Sequence, residues 1–207
     1  MPSETGTRPH SGAVEMILPF YTVGHSTRTL DEFIALLRTA DVGLVADIRT
    51  VRRSRRNPQF NQDSLPAALA GAGIGYEAVT ALGGLRGKAK DVSPTVNGFW
   101  ENESFHHYAD YALSADFRAG LDQLITLGRR QRIAMMCAEA VWWRCHRRIV
   151  ADHLLARGET VFHLMGHDRI EAAKLTPGAC VEDSTVHYPV VLPADERGKD
   201  HRQPVDP

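Results

Sequence analysis

A cysteine, a glutamate, a second cysteine and a histidine lie within ten residues of one another in the segment 132–155, RIAMMCAEAVWWRCHRRIVADHLL. Cys137 ends an apolar run, where helix-end partial charge and nearby arginines would stabilise a thiolate, and a thiolate is a nucleophile. Glu139 and His146 are residue types that transfer protons in catalysis. The segment therefore predicts a cysteine-dependent transferase or hydrolase. The alternative is that Cys137 is an ordinary buried side chain, since free cysteine is among the most buried residue types.

The same segment contains three residues of types that bind zinc, namely Cys137, Cys145 and His146. Their spacing differs from the Cys-x-x-Cys pairs of common zinc sites. We expect Cys145 and His146 to be adjacent on the helix that follows, where their side chains point about 100° apart and do not chelate easily from one turn. We therefore predict no metal, and the sequence identifies no cofactor. A metal protein with these three ligands is kept as an alternative hypothesis.

A second group of candidates lies in the segment 49–60, RTVRRSRRNPQF, which has five arginines in eight positions and no acidic residue. Arginine binds phosphate and carboxylate groups through two parallel hydrogen bonds, and Phe60 with Tyr76 or Trp100 would stack a base. The segment predicts anion binding by Arg49, Arg52, Arg53, Arg55 and Arg56. The alternatives are a nucleic-acid-binding module that uses the same loop, a solvated basic loop, or arginines paired with acidic residues such as Asp47.

These candidates need elements that hold them together, and the sequence predicts strands that alternate with helices. Apolar, β-rich runs predict strands at 18–24, 43–49, 74–79, 132–137 and 160–165. Cap signals and apolar periodicity predict a helix that opens with a capping box at Thr29 and Glu32. Further helices are predicted at 63–73, from about 104 to 128, and up to Arg157.

The alternation predicts an α/β fold with a mainly parallel sheet of about five strands and helices on both faces. We expect a single domain over residues 18–192, with flexible tails at 1–17 and 193–207. The Gly-rich segment 82–103 lacks periodicity, so we expect a mobile loop over one edge of the sheet.

In open parallel sheets the ligand crevice lies beyond the carboxyl ends of the strands, so we predict one site there. The predicted catalytic residues are Cys137, Glu139, His25, Asp47 and His146. The predicted substrate-binding residues are Ser26, Arg49, Arg52, Arg53, Arg55, Arg56, Gly83, Gly84, Arg144 and Arg147. We favour an enzyme that acts on a phosphate-like or nucleotide-like anion, because acidic residues beside a basic loop suit a closed pocket better than an open binding face.

Composition limits the other classes of partner. The chain has 207 residues, 43% of them hydrophobic, enough for one sizeable core. Its 24 basic and 25 acidic residues give a formal charge of −1, so no overall field attracts nucleic acid or a membrane. We expect a cytoplasmic protein without a membrane partner, since no run approaches the roughly 20 apolar residues of a spanning helix. Three cysteines argue against a disulfide framework, and the sequence predicts no particular oligomeric state.

Five segments occur in order from about Tyr21 to His163: YTVGHSTRTLDEFIALL, LVADIRTVRRSRRNPQFN, LGGLRG, MMCAEAVWWRCHRRIVADHLLARG and VFHL. Together they resemble the bacterial family catalogued as domain of unknown function 488. That resemblance implies membership and no particular activity. In outline, LVADIR followed by a strand that ends in cysteine, an arginine-bearing loop and a helix also resembles rhodanese-like and cysteine-phosphatase domains. This second resemblance implies Cys137 as nucleophile and Arg144 as the anion-binding arginine, although the Cys137 to Arg144 loop is one residue longer than in the phosphatases.

Overall fold

The computed structural model describes residues 18–166 and 169–190, and its main feature is a six-stranded sheet. The strands are β1 (Phe20–Gly24), β2 (Leu44–Asp47), β3 (Gly75–Ala78), β4 (Ile133–Cys137), β5 (Val161–Gly166) and β6 (Arg169–Ala172). Their order is β3-β2-β4-β1-β5-β6, and all neighbours are parallel except β5 and β6. The predicted α/β fold with a mainly parallel sheet is confirmed, and all five predicted strands are present. The predicted tails at 1–17 and 193–207 lie outside the described residues.

Five helices connect the strands: α1 (Leu30–Arg38), α2 (Leu65–Gly71), α3 (Glu103–Tyr111), α4 (Ala115–Gly128) and α5 (Arg147–Ala156). The capping box at Thr29 and Glu32 is present at the start of α1. The helical stretch predicted from 104 to 128 is two helices, because Ser114 leaves the helical conformation and its side chain caps α4. Within the ranges described, no helix is long and apolar enough to cross a membrane.

The helices cover both faces of the sheet, as predicted. Because successive strand side chains point to opposite faces, Val45 and Met136 pack toward α1 and α2 while Ala46 and Met135 pack toward α3, α4 and α5. The first layer is completed by Phe33, Leu37, Leu65 and Leu69, and the second by Tyr108, Leu121, Leu124, Ile149 and Leu154. All of these side chains are buried, so the sheet lies between two apolar layers.

A short hairpin, β7 (Cys180–Glu182) and β8 (Thr185–His187), follows the sheet and was not predicted. It leads to Tyr188, which is buried against α5 and donates a hydrogen bond from its hydroxyl to Asp152 at 2.8 Å. The backbone N–H of Tyr188 donates to Asn97 Oδ1 at 3.0 Å. Asn97 is fully buried, so the middle of the segment 82–103, predicted as a mobile loop, packs against the domain.

The register of the sheet brings the predicted site to one edge. Gly24 at the end of β1 pairs with Cys137 at the end of β4, and Asp47 at the end of β2 pairs with Met136. The carboxyl ends of these three central strands therefore meet, which is where an open parallel sheet binds its ligands.

Candidate active site

A cavity of about 330 Å³ lies beyond the carboxyl ends of β2 and β4. This volume is within the range of sites for small ligands. It is lined by Arg49, Thr50, Val51, Gly84, Leu85, Ser104, Phe105, Cys137, Ala138, Glu139, Arg144, Cys145 and His146. Six of these were predicted site residues: Arg49, Gly84, Cys137, Glu139, Arg144 and His146, with Cys145 predicted only as an alternative metal ligand.

Cys137 lies at the end of β4, and the loop that follows it is held by its carbonyl groups. The backbone N–H of Ser26 donates to the carbonyl of Ala138 at 2.9 Å. The guanidinium of Arg147 donates to the carbonyl of Glu139 at 2.7 Å and to that of Ala140 at 3.1 Å. The loop therefore fixes Cys137 at the cavity wall.

Gly24 and Arg147 together allow β1 to approach this loop. A methyl group at Gly24 would overlap the Glu139 carbonyl, so only glycine fits there. Arg147 is fully buried and does not line the cavity. It was predicted as a substrate-binding residue, but the structure places it behind the loop, where it positions the Cys137 backbone.

Cys137, Cys145 and His146 form a compact group that we call the cysteine–histidine cluster. Their sulfur and nitrogen atoms all lie within 4.8 Å of one another. His146 Nδ1 is 3.8 Å from the Cys137 sulfur and 3.6 Å from the Cys145 sulfur. His146 Nε2 donates to the carbonyl of Ile48 at 3.1 Å, since a carbonyl oxygen only accepts. Cys137 and Cys145 are 6% and 2% exposed, so the cluster is largely buried at the inner end of the cavity.

The prediction that Cys145 and His146 share one helix is wrong. A short 3₁₀ turn at Trp142–Arg144 precedes Cys145, whose backbone is extended with φ −134° and ψ 143°. His146 is the residue before α5 and forms its N-cap. The change of direction between the two residues allows both side chains to point at Cys137.

The two thiols titrate differently because they interact. A hydrogen bond from the Cys145 thiol is the main factor that lowers the pKa of Cys137 well below its usual value, with further help from His146 and the Glu139 N–H. Burial, followed by the neighbouring Cys137, raises the pKa of Cys145 well above its usual value.

Arg49 lines the cavity next to this cluster, and a buried carboxylate holds it there. Arg49 donates to Asp47 from Nε at 2.9 Å, from Nη2 at 2.7 Å and from its backbone N–H at 3.0 Å. The Tyr76 hydroxyl donates to the same carboxylate at 2.7 Å. Asp47 is fully buried and absent from the cavity lining, so the predicted catalytic carboxylate instead positions Arg49.

His25, another predicted catalytic residue, lies behind Arg49. Its Nδ1 donates to the Ser26 carbonyl at 2.9 Å, and its Nε2 accepts from Arg49 at 3.1 Å, so both ring nitrogens are engaged in the neutral form. Burial is the main factor that lowers the pKa of His25. The ring stacks on Phe60 with centroids 4.3 Å apart. Phe60 is fully buried, so it does not offer the base-stacking face that the sequence suggested.

The other predicted arginines are distributed over different surroundings. Arg52 is 13% exposed and lies 3.8 Å from Asp47, whereas Arg53 forms an exposed ion pair with Asp63 at 2.6 Å. Arg55 and Arg56 are exposed and do not line the cavity. Arg144 is exposed and lines the cavity, so it is the predicted arginine most accessible to an incoming anion.

The predicted glycines and Ser26 have backbone roles. A methyl group at Gly84 would overlap the His146 ring, and one at Gly83 would meet the Thr50 hydroxyl. Gly84 therefore lets this turn pack closely against the cluster, and Gly83 lets it pack against Thr50. Ser26 has a φ of 51°, in the left-handed region that non-glycine residues rarely adopt, and its backbone bonds the loop after β4.

Sequence reasoning missed Thr50, Val51, Leu85, Ser104 and Phe105, which also line the cavity. Val51 and Leu85 are 60% and 70% exposed, an unusual position for large apolar side chains. Ser104 and Phe105 lie at the start of α3, where the Asn102 side chain accepts from both of their backbone N–H groups. Asn102 is a residue type that favours a helix N-cap, so the start of α3 was predictable. Nothing in the sequence indicated that this helix start lies at the cavity.

A comparison with protein families matches residues 29–154 to the family described as "Domain of unknown function DUF488". No curated protein and no solved structure matched. The outline similarity to rhodanese-like and phosphatase domains therefore gains no support. The family match spans more than half of the chain and includes every residue that lines the cavity, and the chain therefore belongs to the DUF488 family.

Proposed function

We propose that this protein is an enzyme that binds a small anionic substrate in the cavity and acts on it at the cysteine–histidine cluster. The observation that carries the proposal is that this cluster, two arginines and Glu139 line the same cavity of about 330 Å³. Groups able to bind an anion, to move a proton and to react are thus brought together where a parallel sheet places its ligands.

Each charged group has a distinct expected role. Arg144 is exposed and meets the anion at the mouth of the cavity. Arg49 lines the cavity farther in, where Asp47 holds its guanidinium in place and balances its charge. Glu139 is exposed to solvent and lines the cavity, so its carboxylate is suited to exchange protons. The apolar side chains of Val51 and Phe105 suit a substrate that also has an apolar or aromatic part.

Anion binding is tested by thermal unfolding in the presence of inorganic phosphate and of adenosine monophosphate. A ligand that binds only the folded state stabilises it by about 2.7 kcal/mol at 100 times its Kd. We expect a saturable stabilisation that Arg144→Ala weakens. Arg130→Ala removes an exposed arginine outside the cavity lining and is expected to leave the effect intact. No stabilisation by either probe, or an equal one in Arg144→Ala, would argue against the cavity as an anion site.

Catalysis is tested with a panel of phosphate esters and nucleotides, with products followed by mass spectrometry. Turnover is expected to be lost in Cys137→Ser and retained in Cys180→Ser, because Cys180 is exposed on β7. Product formation that is unchanged in Cys137→Ser would remove the cluster from the reaction.

Two chemistries fit the cluster. In the first, the Cys137 thiolate attacks the substrate directly, which its lowered pKa favours. In the second, the three side chains bind a metal ion that activates water, which their spacing favours and which is developed below. A nucleic-acid-binding role for the arginine loop has less support, because Arg49 and Arg52 face Asp47 and Arg53 is paired with Asp63.

A further inference from the structure

We infer that Cys137, Cys145 and His146 bind a zinc ion whose fourth coordination position opens on the cavity. The metal site itself is argued from the geometry of the three side chains. Its catalytic use rests on the proposed function, because only an anion-binding cavity gives the open position a substrate.

The two sulfur–nitrogen distances within the cluster match those of a tetrahedral zinc centre. Ligand atoms at about 2.3 Å for sulfur and about 2.05 Å for nitrogen lie about 3.6 Å apart when the coordination is tetrahedral. The two observed separations from His146 Nδ1 are 3.8 Å to the Cys137 sulfur and 3.6 Å to the Cys145 sulfur. A single ring nitrogen directs one hydrogen or one lone pair, so it does not form good hydrogen bonds to both sulfurs. One metal ion between the three atoms satisfies all of them.

The orientation of His146 is that of a metal ligand. Because Nε2 donates to the Ile48 carbonyl, the neutral tautomer that would bind a metal presents the lone pair of Nδ1 to the two sulfurs. Histidines that bind metals usually donate their other N–H to a carbonyl or carboxylate in this way. Gly84 packs against the same ring and restricts its rotation.

The backbone around the cluster has the form that chelation requires. Cys137 is held by the loop whose carbonyls bond Ser26 and Arg147. Cys145 is extended and His146 is the N-cap of α5, so the two neighbouring residues direct their side chains to the same point. The cluster therefore joins a strand end and a helix start, two rigid elements.

The number of ligands indicates a catalytic metal centre. Structural zinc sites usually have four protein ligands, whereas catalytic sites have three and keep one position for water or substrate. Among the residues that the structure describes, the cluster contains three candidate ligands, two thiolates and one imidazole, a set that suits zinc. Because all three also line the cavity, the fourth position faces the proposed substrate.

An open position on a metal would suit hydrolysis. Cys137, Cys145 and His146 would hold the ion, which would polarise a bound water. Glu139, which lines the same cavity, would carry a proton from that water to the leaving group as the water oxygen bonds to the electrophilic atom of the substrate. The net change is the addition of one water molecule across the bond that breaks. No oxidant or reductant is needed.

The test is the metal content of the intact protein, purified without chelators under anaerobic conditions and measured by inductively coupled plasma mass spectrometry. We expect about one zinc per chain in the native protein and in Cys180→Ser, and less than about a tenth of that in Cys145→Ser and His146→Ala. A variant that fails to fold would also lose zinc, so the metal-free native chain is titrated with Co²⁺ as a second measurement. A tetrahedral site with two thiolates gives intense visible bands and a sulfur-to-cobalt charge-transfer band.

Zinc well below stoichiometric amounts, together with no thiolate-to-cobalt band in the native chain, would overturn the inference. Retention of zinc in Cys145→Ser would show that Cys145 is not a zinc ligand and would overturn the proposed set of three ligands. These readouts do not depend on a substrate. A protein that holds zinc but shows no stabilisation by phosphate or adenosine monophosphate would refute the anion-binding function and leave the metal site standing.

Discussion

The substitution Asp47→Asn tests whether a buried carboxylate positions Arg49 at the cavity. Asp47 accepts three hydrogen bonds from Arg49, at 2.7, 2.9 and 3.0 Å, and one from the Tyr76 hydroxyl at 2.7 Å. An asparagine keeps one acceptor oxygen and replaces the other with a donor, which leaves the buried guanidinium without its counter-charge. Breaking such a buried pair costs about 3–5 kcal/mol. We expect a loss of this size in the free energy of unfolding, measured by urea denaturation with an unchanged m value.

The matched control is Asp63→Asn, the same substitution in an exposed ion pair. Asp63 lies 2.6 Å from Arg53, and the side chains are 62% and 70% exposed, so solvent screens their attraction. Such pairs contribute about 0–1 kcal/mol. Equal losses in the two variants would show that Asp47 does not hold Arg49 as the structure indicates.

Gly24→Ala is expected to lower the free energy of unfolding by about 1–3 kcal/mol, because its methyl group would overlap a carbonyl of the loop after β4. The control Gly71→Ala places its methyl group in open space and should be neutral or slightly stabilising. Urea denaturation measures the free energy of unfolding of both variants. Burial lowers the pKa of His163 to about 4 in the folded protein. Between about pH 6.5 and about pH 4, the unfolded chain therefore binds a proton at His163 that the folded chain does not, so lowering the pH over this range should destabilise the protein. His163→Asn should show a shallower loss of stability over the same pH range, and an unchanged slope would count against this assignment. Gly84→Ala should weaken zinc binding, since its methyl group would overlap the His146 ring. An unchanged affinity in competition with a chelating dye would contradict zinc binding through His146.

The central strands were predictable because a parallel sheet covered on both faces requires continuous apolar runs. β4, with the sequence IAMMC, is buried at every position. β6 and β7, with the sequences RIEA and CVE, are mostly exposed and carry no such signal. Their strand conformation depends on pairing with neighbours that the sequence does not identify.

The location of the site was also predictable, since Cys137, Glu139 and Arg49 follow strand ends. Their exact surroundings were not. Residue type does not distinguish Arg144, which lines the cavity, from Arg147, which is fully buried behind the loop. An arginine uses the same N–H groups to bind a substrate and to hydrogen-bond backbone carbonyls. Only the tertiary structure distinguishes the two roles.

The conformation of Cys145 was the least predictable feature and has the largest consequence. Its neighbours favour a helix, yet a 3₁₀ turn with an extended residue after it places the thiol beside Cys137. Cys145 and His146 are not neighbours on one helix, so the helical geometry that would separate their side chains is absent. One backbone conformation thus changes which chemistry the cluster supports.

The most direct test of a metal-binding cysteine–histidine cluster is the alkylation rate of each cysteine in the native protein. The rates are resolved by peptide mass spectrometry and compared with and without added zinc. We expect Cys137, whose pKa is lowered, to react once the metal has been removed and to be protected when zinc is restored. Cys180, exposed on β7, should react equally in both cases and serves as the internal control. Labelling of Cys137 that is the same with and without zinc, or that appears only after unfolding, would contradict a metal-binding cluster that opens on the cavity.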